Sequence, residues 1–576
     1  MRCKYSLAFH GFDGRIIEMD TLKDFISTVI NRLYGAEVPV ELSEVPAEIA
    51  GDYSCNVAMR LAKQVGKAPR DIANEIIAEL PTAFEYSVAG PGFINITVPG
   101  TELMCALEEA WNENYGCNES GKGKIAVSEF PSTNMAKPYS VGHLRPGTQG
   151  WAAKKILEAN GWKVITDNHL GDSGTPFGIW ATGFKRSGKS IDDVTIYDLG
   201  EIYIQMKADM KAEEAAGEHA LADSAQDWLL KLESGDGEAK ELSDRFNQIS
   251  LDHIHSVMKR MSLSTDYELG ESFFVERGKE LVKKFLAEGK FVQNEDGSVI
   301  CPLDEFGIEV PMLMLKSNGA ALYATTDLAC LDYRLHEWKA DRLIYAVGAE
   351  QKFYFEQLFA VAKKLGWNAE MMHVWFGTID QISPEGKREK MSSRKGVVLL
   401  EDMLNDATRR VRENFASEEL SDEDVRKIAT GAIKYSDFVS DRKMGILYDP
   451  EKIFALTGQS GPFCQYACVR MRRILEKNPE FDDDFTGYDF AAEKPILAKL
   501  LAFPELVASV ADNLEAHRIA GYCFELAQEL NRYYENAPIA TAETEVRNAR
   551  LWTIDKASKV LAKGLDLLGI EIPDKM

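Results

Sequence analysis

Two kinds of hydrophobic patterning run along the chain. Near the start, TLKDFISTVINRL and NVAMRLAKQVG place apolar residues at three- and four-residue spacing, which predicts helices. FEYSVAGPGFINITV is β-branched and aromatic on both sides of Gly90-Pro91-Gly92, which predicts a strand, a turn and a strand. Residues 1–112 therefore read as a small α+β domain, and the polar ENYGCNESGKGK at 113–124 as a linker. Over 120–405, strands and helices alternate. IAVSEF predicts a strand, about 142–160 a helix and WKVITDNH a strand, and RLIYAVG and HVWFGTI are two further strand-like runs. This order predicts an α/β fold with a Rossmann-like, doubly wound parallel sheet and its ligand at the carboxyl ends of the strands. Residues 207–250 are Ala- and Glu-rich with few large apolar groups, and read as a helical insertion on the surface.

From 406 to 576 the strand signal nearly vanishes. Leu551, Ile554, Ser558, Leu561, Leu565 and Leu568 recur at helical spacing, while Arg550, Lys556, Lys559 and Lys563 fall mostly elsewhere. This predicts a C-terminal all-α helix bundle. The acidic EFDDDF at 480–485 reads as a solvated loop.

Composition narrows the class. A chain of 576 residues suggests three or four domains, at roughly 100–200 residues each. No apolar run approaches the ~20 residues of a membrane span, and the nearest, LLAFPELVASVA, is broken by Pro504 and Glu505. The N-terminus lacks the apolar core of a secretion signal. The 9 cysteines form no CxxC pair, which points to a reducing, cytoplasmic compartment. Cys464 and Cys468 share a helix face and read as packing rather than metal ligands; no zinc set is evident. The net charge of −25 argues against bulk nucleic-acid binding. Arg409, Arg410, Arg412 and Arg470, Arg472, Arg473 are local strips where an acidic protein could meet RNA, or ordinary solvated helix faces.

Candidate chemistry sits in two segments. SVGHLRPG at 140–147 follows the first strand and opens a helix. Gly142 lets backbone approach a phosphate, the helix start supplies free N–H groups, and His143 can donate to a phosphate oxygen. The second segment, KREKMSSRKG at 387–396, gathers Lys387, Arg388, Lys390, Arg394 and Lys395 into one loop able to neutralise a pyrophosphate leaving group. Either segment alone reads equally as surface.

Together they resemble the HIGH and KMSKS pair of the class I aminoacyl-tRNA synthetases. The chain is similar to the arginyl-tRNA synthetases in particular. EFPSTNMAKPYSVGHLR, NHLGDSGTPFG, GESFF, KSNGAALYATTDLA, VGAEQ, GQSGPFCQYACVRMRRIL and LAKGLDLLGIEIPDKM stand in that family's order, and the N-terminal GDYSCNVAMRLAK and AGPGFINITV also fit. The resemblance covers essentially the whole chain. It implies a class I catalytic domain, an N-terminal domain on the tRNA elbow and a C-terminal anticodon-binding bundle. It also implies a two-step reaction: L-arginine and ATP, with Mg²⁺ carried by ATP, give an adenylate, and the arginyl group moves to tRNA(Arg). The family typically needs its tRNA even for the first step.

The resemblance assigns an arginine pocket to Glu129, Asn134, Tyr323, Asp327 and Gln351. It puts Asp327 on the guanidinium and Glu129, Asn134 and Gln351 around the amino-acid end. Tyr323 and Asp327 are four apart, one helical turn. His169 and Asp172 in NHLGD are expected to shape the nucleotide pocket or its wall. ATP falls to Ser140, Gly142, His143, Lys390, Met391 and Ser392, with Lys137, Ser140, His143 and Lys390 as catalytic residues. The chain departs from the family at Ser140, which replaces the first His of HIGH, and at Ser393, which replaces the second Lys of KMSKS. A serine can still donate to a phosphate, and Lys137 is the candidate substitute cation. Pro176 and Thr326 also depart, and Pro146 falls in the first turn of the helix, where proline is tolerated. A monomer is expected, with no membrane contact. Two other readings share these residues: a non-catalytic tRNA-binding paralogue, and a ligase for another cationic amino acid.

Overall fold

The computed structural model describes residues 19–45, 51–82, 84–172, 176–383, 386–391, 398–415, 420–482, 485 and 487–576. The chain divides into two compact units. The first comprises Met1–Gly116, Arg470–Leu506 and Glu525–Ala562. Its antiparallel sheet runs Leu42–Glu44, Tyr53–Cys55, Phe93–Thr97, Glu85–Ala89. The GPG turn joins the last two strands in register, Ala89 opposite Phe93. Gly92 is required there: its φ is +138°, and a Cβ would meet Pro69 Cβ at 2.7 Å. Helices Met19–Tyr34, Val57–Val65 and Pro69–Ile77 bury Ile26, Ile30, Leu61 and Ile72 against Ile94 and Ile96. Within this unit, helix Thr544–Leu567 carries the C-terminal period up to Ala562, with Leu551, Ile554 and Leu561 buried.

The second unit comprises Cys117–Val469, Val507–Phe524 and Lys563–Met576. At its centre is the parallel sheet of β1 (Ile125–Glu129), β2 (Lys163–Asp167), β3 (Arg342–Tyr345) and β4 (Glu370–His373), in the order β4-β3-β1-β2. Helix α1 (Leu144–Ala159) links β1 to β2, α2 (Tyr323–His336) precedes β3, and α3 (Lys352–Lys364) links β3 to β4. All of β3 is buried, as expected of a parallel strand covered on both faces. Chain order reverses between β1 and β3. The carboxyl ends of those strands form the switch point where such sheets bind ligands. There Glu129 lies opposite both Tyr345 and Asp167.

One strand expectation fails in detail. HVWFGTI is not a strand: β4 ends at His373, and the next strand, Ile379–Ile382, belongs to another sheet, with Arg388–Lys390 and Ile446–Leu447. Val374 N–H still bonds to Tyr345 O at 2.9 Å and Phe376 makes an isolated bridge to Gly348, both residues being buried, but the ladder ends there and Gly377 N–H bonds instead to Arg442 O. The expected insertion is helical and wider than 207–250, as Ile196–Ala216, Ala220–Glu233 and Gly237–Arg260. It has its own core, in which Leu199, Trp228 and Phe246 pack on Phe177, Trp180 and Phe184. Pro504 does not break its helix, Lys494–Val510. Cys464 and Cys468 are buried in helix Gly461–Lys477. No helix of the described residues is long and apolar enough to cross a membrane.

Candidate active site

β1 and β2 deliver acids to the sheet's carboxyl edge because each ends in one, Glu129 and Asp167. Helix α2 crosses that edge and presents Asp327, Cys330 and Arg334 at three- and four-residue spacing, one face of the helix. Arg334, 1% exposed, donates through Nη1 to Glu129 Oε2 at 2.5 Å and through Nη2 to Asp167 Oδ2 at 2.7 Å. Its guanidinium lies 5.5 Å from the Tyr345 ring centroid. Ser132 Oγ donates to the other Glu129 oxygen at 3.0 Å. Removal from water pushes the Glu129 carboxyl up, but Arg334, His169 and Ser132 outweigh this and hold it below the usual range.

Asp327 is more open, with its side chain 25% exposed. Tyr354 O–H donates to its Oδ2, and His169 Nε2 stands 3.7 Å from its Oδ1. Burial raises the Asp327 carboxyl. His169 Nδ1 donates to Leu269 O at 3.0 Å, which leaves Nε2 facing the acids. Asp167, His169 and Cys330 bring ligand atoms within 4.8 Å of one another. Arg334 already supplies that cluster with a cation.

Of the expected pocket residues, the structure therefore gathers Glu129 and Asp327 around one ion network. Tyr323 begins α2 and is 68% exposed. Asn134 is exposed and pairs through its backbone with Gly171, next to His169. Gln351 is exposed in the turn between β3 and α3. Asp172 accepts from Ser272 N–H and Oγ at 2.9 and 2.6 Å. Arg334, Asp167 and Tyr354 went unnoticed in the sequence. The signal available for Arg334 was its spacing from Asp327, seven residues along the same helical face.

The segment expected to meet the nucleotide is built differently. Val141–His143 forms a one-turn 3₁₀ helix before α1. His143 Nδ1 accepts from Ser140 N–H at 3.0 Å, and Ser140 Oγ lies 3.3 Å from the same nitrogen. With Nδ1 as acceptor, a neutral His143 carries its proton on Nε2, ready to donate. Removal from water, helped by the Lys137 ammonium, lowers its pKa to about 4. Gly142 and Lys137 are exposed, and Lys137 Nζ lies 5.6 Å from the Tyr203 ring centroid.

Lys390 is exposed at the end of strand Arg388–Lys390. Met391 is buried against Tyr139, Val141 and Leu144, and its N–H bonds to Ile379 O at 2.8 Å. Past the KMS run, Val398 O accepts from Val141 N–H at 3.0 Å and Leu400 N–H bonds to Tyr139 O at 3.1 Å. The two motifs, some 250 residues apart, thus lie against each other. Ser392, Ser393, Arg394 and Lys395 are outside the described residues. The basic strip at Arg409, Arg410 and Arg412 is paired with Asp406, Glu413, Glu451 and Asp422. Arg470 stacks on Tyr534, 3.9 Å from its ring centroid.

A doubly wound sheet with a glycine-histidine turn after β1 and a cationic hairpin beyond β4 defines a class I synthetase catalytic domain. The family description "tRNA synthetases class I (R), catalytic domain" matches residues 107–449. "DALR anticodon binding domain" matches 464–576 and "Arginyl tRNA synthetase N terminal domain" 20–98. An arginine–tRNA ligase of Fusobacterium nucleatum is 32% identical over 558 residues, 93% of this chain and 95% of its own. One of Streptococcus pneumoniae is 33% identical over 567 residues, 96% and 98%. The Thermus thermophilus arginyl-tRNA synthetase structure aligns with a TM-score of 0.75 at 25% identity, over 97% of this chain and 100% of that one. The chain belongs to the arginyl-tRNA synthetase family.

Proposed function

We propose that the protein ligates L-arginine to tRNA(Arg) at the expense of ATP. The arginine carboxylate attacks the α-phosphorus of ATP, pyrophosphate leaves, and arginyl-adenylate forms. A ribose hydroxyl of the tRNA end then attacks the arginyl carbonyl and AMP leaves. The observation that carries the arginine assignment is the excess of acid at the carboxyl edge of the sheet. Glu129, Asp167 and Asp327 face one fixed guanidinium, Arg334, and remain in excess even with His169 protonated. A cationic side chain completes that balance, and Asp327, the open acid, offers it a carboxylate.

In this reading Asp327 takes the guanidinium, Tyr323 lines the pocket, and Glu129, Asn134 and Gln351 surround the amino-acid end. His143 donates from Nε2 to a phosphate, with Ser140 holding its ring. Lys390 and Lys137 neutralise pyrophosphate, and Gly142, Met391 and Ser392 complete the nucleotide side. None of Lys137, Ser140, His143 and Lys390 is an acid, so Mg²⁺ would be held by the phosphates and water. Three functional parts follow: 1–112 on the tRNA elbow, 120–405 for catalysis and 406–576 for the anticodon. We place the protein in the cytoplasm as a monomer; none of the 8 described cysteines is in a disulfide.

The test is ATP–pyrophosphate exchange with and without tRNA(Arg). Exchange with arginine and not with lysine supports the assignment. Exchange driven by lysine would move the substrate, and no exchange despite intact tRNA binding would leave a tRNA-binding protein without chemistry.

A further inference from the structure

The helix after the SVGH turn begins with a buried arginine that the proposed reaction leaves without a part. Arg145 is 1% exposed and lies in the first turn of α1. Its Nε donates to Asp437 Oδ1 at 2.6 Å, and its Nη1 donates to Gly377 O and Met444 O, both at 2.9 Å. Its guanidinium lies 5.5 Å from the Phe376 ring centroid. Asp437 is fully buried at the end of helix Asp422–Asp437, and its other oxygen accepts from Gln149 Nε2 at 3.0 Å and from Thr148 Oγ1, both further along α1.

The acceptors lead to the KMS hairpin. Gly377 enters strand Ile379–Ile382, which pairs in register with Arg388–Lys390, Asp380 opposite Lys390. Met444 enters strand Ile446–Leu447, whose Ile446 N–H bonds to Thr378 O at 2.9 Å. One guanidinium therefore joins the helix that directly follows His143 to the starts of two strands of the sheet that carries Lys390. The backbone bonds at Val398 and Leu400 tie the chain after the KMS run, whereas Arg145 ties the chain before it. The residue type suits the task. Three acceptors in three directions need a fork of donors on a fixed charge, which lysine lacks. Nε and Nη1 carry all three bonds, and Nη2 is buried without a hydrogen-bond partner among the described residues.

We propose that the Arg145–Asp437 pair is a positioning clamp that sets the spacing between the His143 turn and the Lys390 hairpin. It touches no substrate and acts through the two motifs, so it rests on the reading of those motifs as the nucleotide side. Misplacement of reacting groups by an ångström costs on the order of 100-fold in rate. The clamp thus serves adenylate formation and leaves arginine capture to the network around Asp327 and Arg334.

The test compares wild type with Arg145→Lys, which keeps the charge and loses the fork, and with Asp437→Asn, which keeps the shape. Pyrophosphate exchange and amide hydrogen exchange are both read. Each variant is expected to lose roughly 10- to 100-fold in kcat, with KM for arginine within about twofold of wild type. The Gly377 and Ile446 amides should exchange at least about tenfold faster. A folded variant with kcat within about threefold of wild type overturns the clamp. So does a parallel change in kcat and arginine KM, which marks general loosening. If both variants fail to fold, wild type decides: Gly377 and Ile446 amides that exchange like exposed loops overturn the clamp, and protection matching β3 supports it. A wild type without arginine-dependent exchange would sink the proposed function, while the hydrogen-exchange arm still reads the clamp.

Discussion

Two histidines of the second unit stand on either side of the proposed reaction and are pushed in opposite directions. His143, on the nucleotide side, takes a backbone N–H on Nδ1 and is held neutral, its pKa lowered to about 4 by removal from water and by Lys137. His169, on the arginine side, is also removed from water, but Cys330, Glu129 and Asp327 outweigh that and raise its pKa. The contrast follows the charge each side is to meet. A site for phosphates has a neutral N–H donor with exposed cations nearby. A site for a guanidinium has an excess of acid, and a histidine in that field keeps its proton.

The largest expected effect tests whether the arginine side is truly an ion network. Arg334→Met leaves Glu129 and Asp167 buried without their cation and should cost about 3–5 kcal/mol of stability in urea unfolding. A loss below about 1 kcal/mol would mean those acids are not both charged. Asp327→Asn should lower kcat/KM for arginine about 100-fold or more, about 3 kcal/mol, with KM for ATP nearly unchanged. Equal losses toward both substrates would erase the division between the two sides.

The third expectation is a pH dependence. His143 binds its proton at about 4 when folded and at 6.5 when unfolded. As pH falls from 6.5 toward 4 the unfolded chain binds the extra proton, so stability is fully present above 6.5 and lost below it. The slope is up to about 1.4 kcal/mol per pH unit. His373, also lowered to about 4, adds a slope of the same sign. His169 runs the other way, since a raised folded value contributes stability at low pH that is lost as pH rises. Urea midpoints between pH 7 and 5 for wild type and His143→Asn should show a shallower slope in the variant; equal slopes would break the contrast. The smallest effect belongs to Ser140→Ala, which removes an Oγ lying 3.3 Å from Nδ1 but leaves the backbone donor in place. About 3- to 10-fold in exchange rate is expected, near 1 kcal/mol.

Local signals in the sequence determined the doubly wound sheet and the helical insertion, while the pairing of SVGH with KMS and the two acids Glu129 and Asp327 came from the resemblance to a known family. Periodicity, turn residues and motif order need no knowledge of distant neighbours. The misread HVWFGTI shows the limit of that information, because apolar, β-branched residues report burial whether or not a ladder forms. Only the tertiary structure decided that Arg334 reaches back 205 residues to Glu129, and that Arg145 reaches forward 292 to Asp437. It also decided that one histidine sheds its proton while another keeps it. Desolvation and Coulomb forces depend on what surrounds a group in space, and none of those partners is adjacent in the chain.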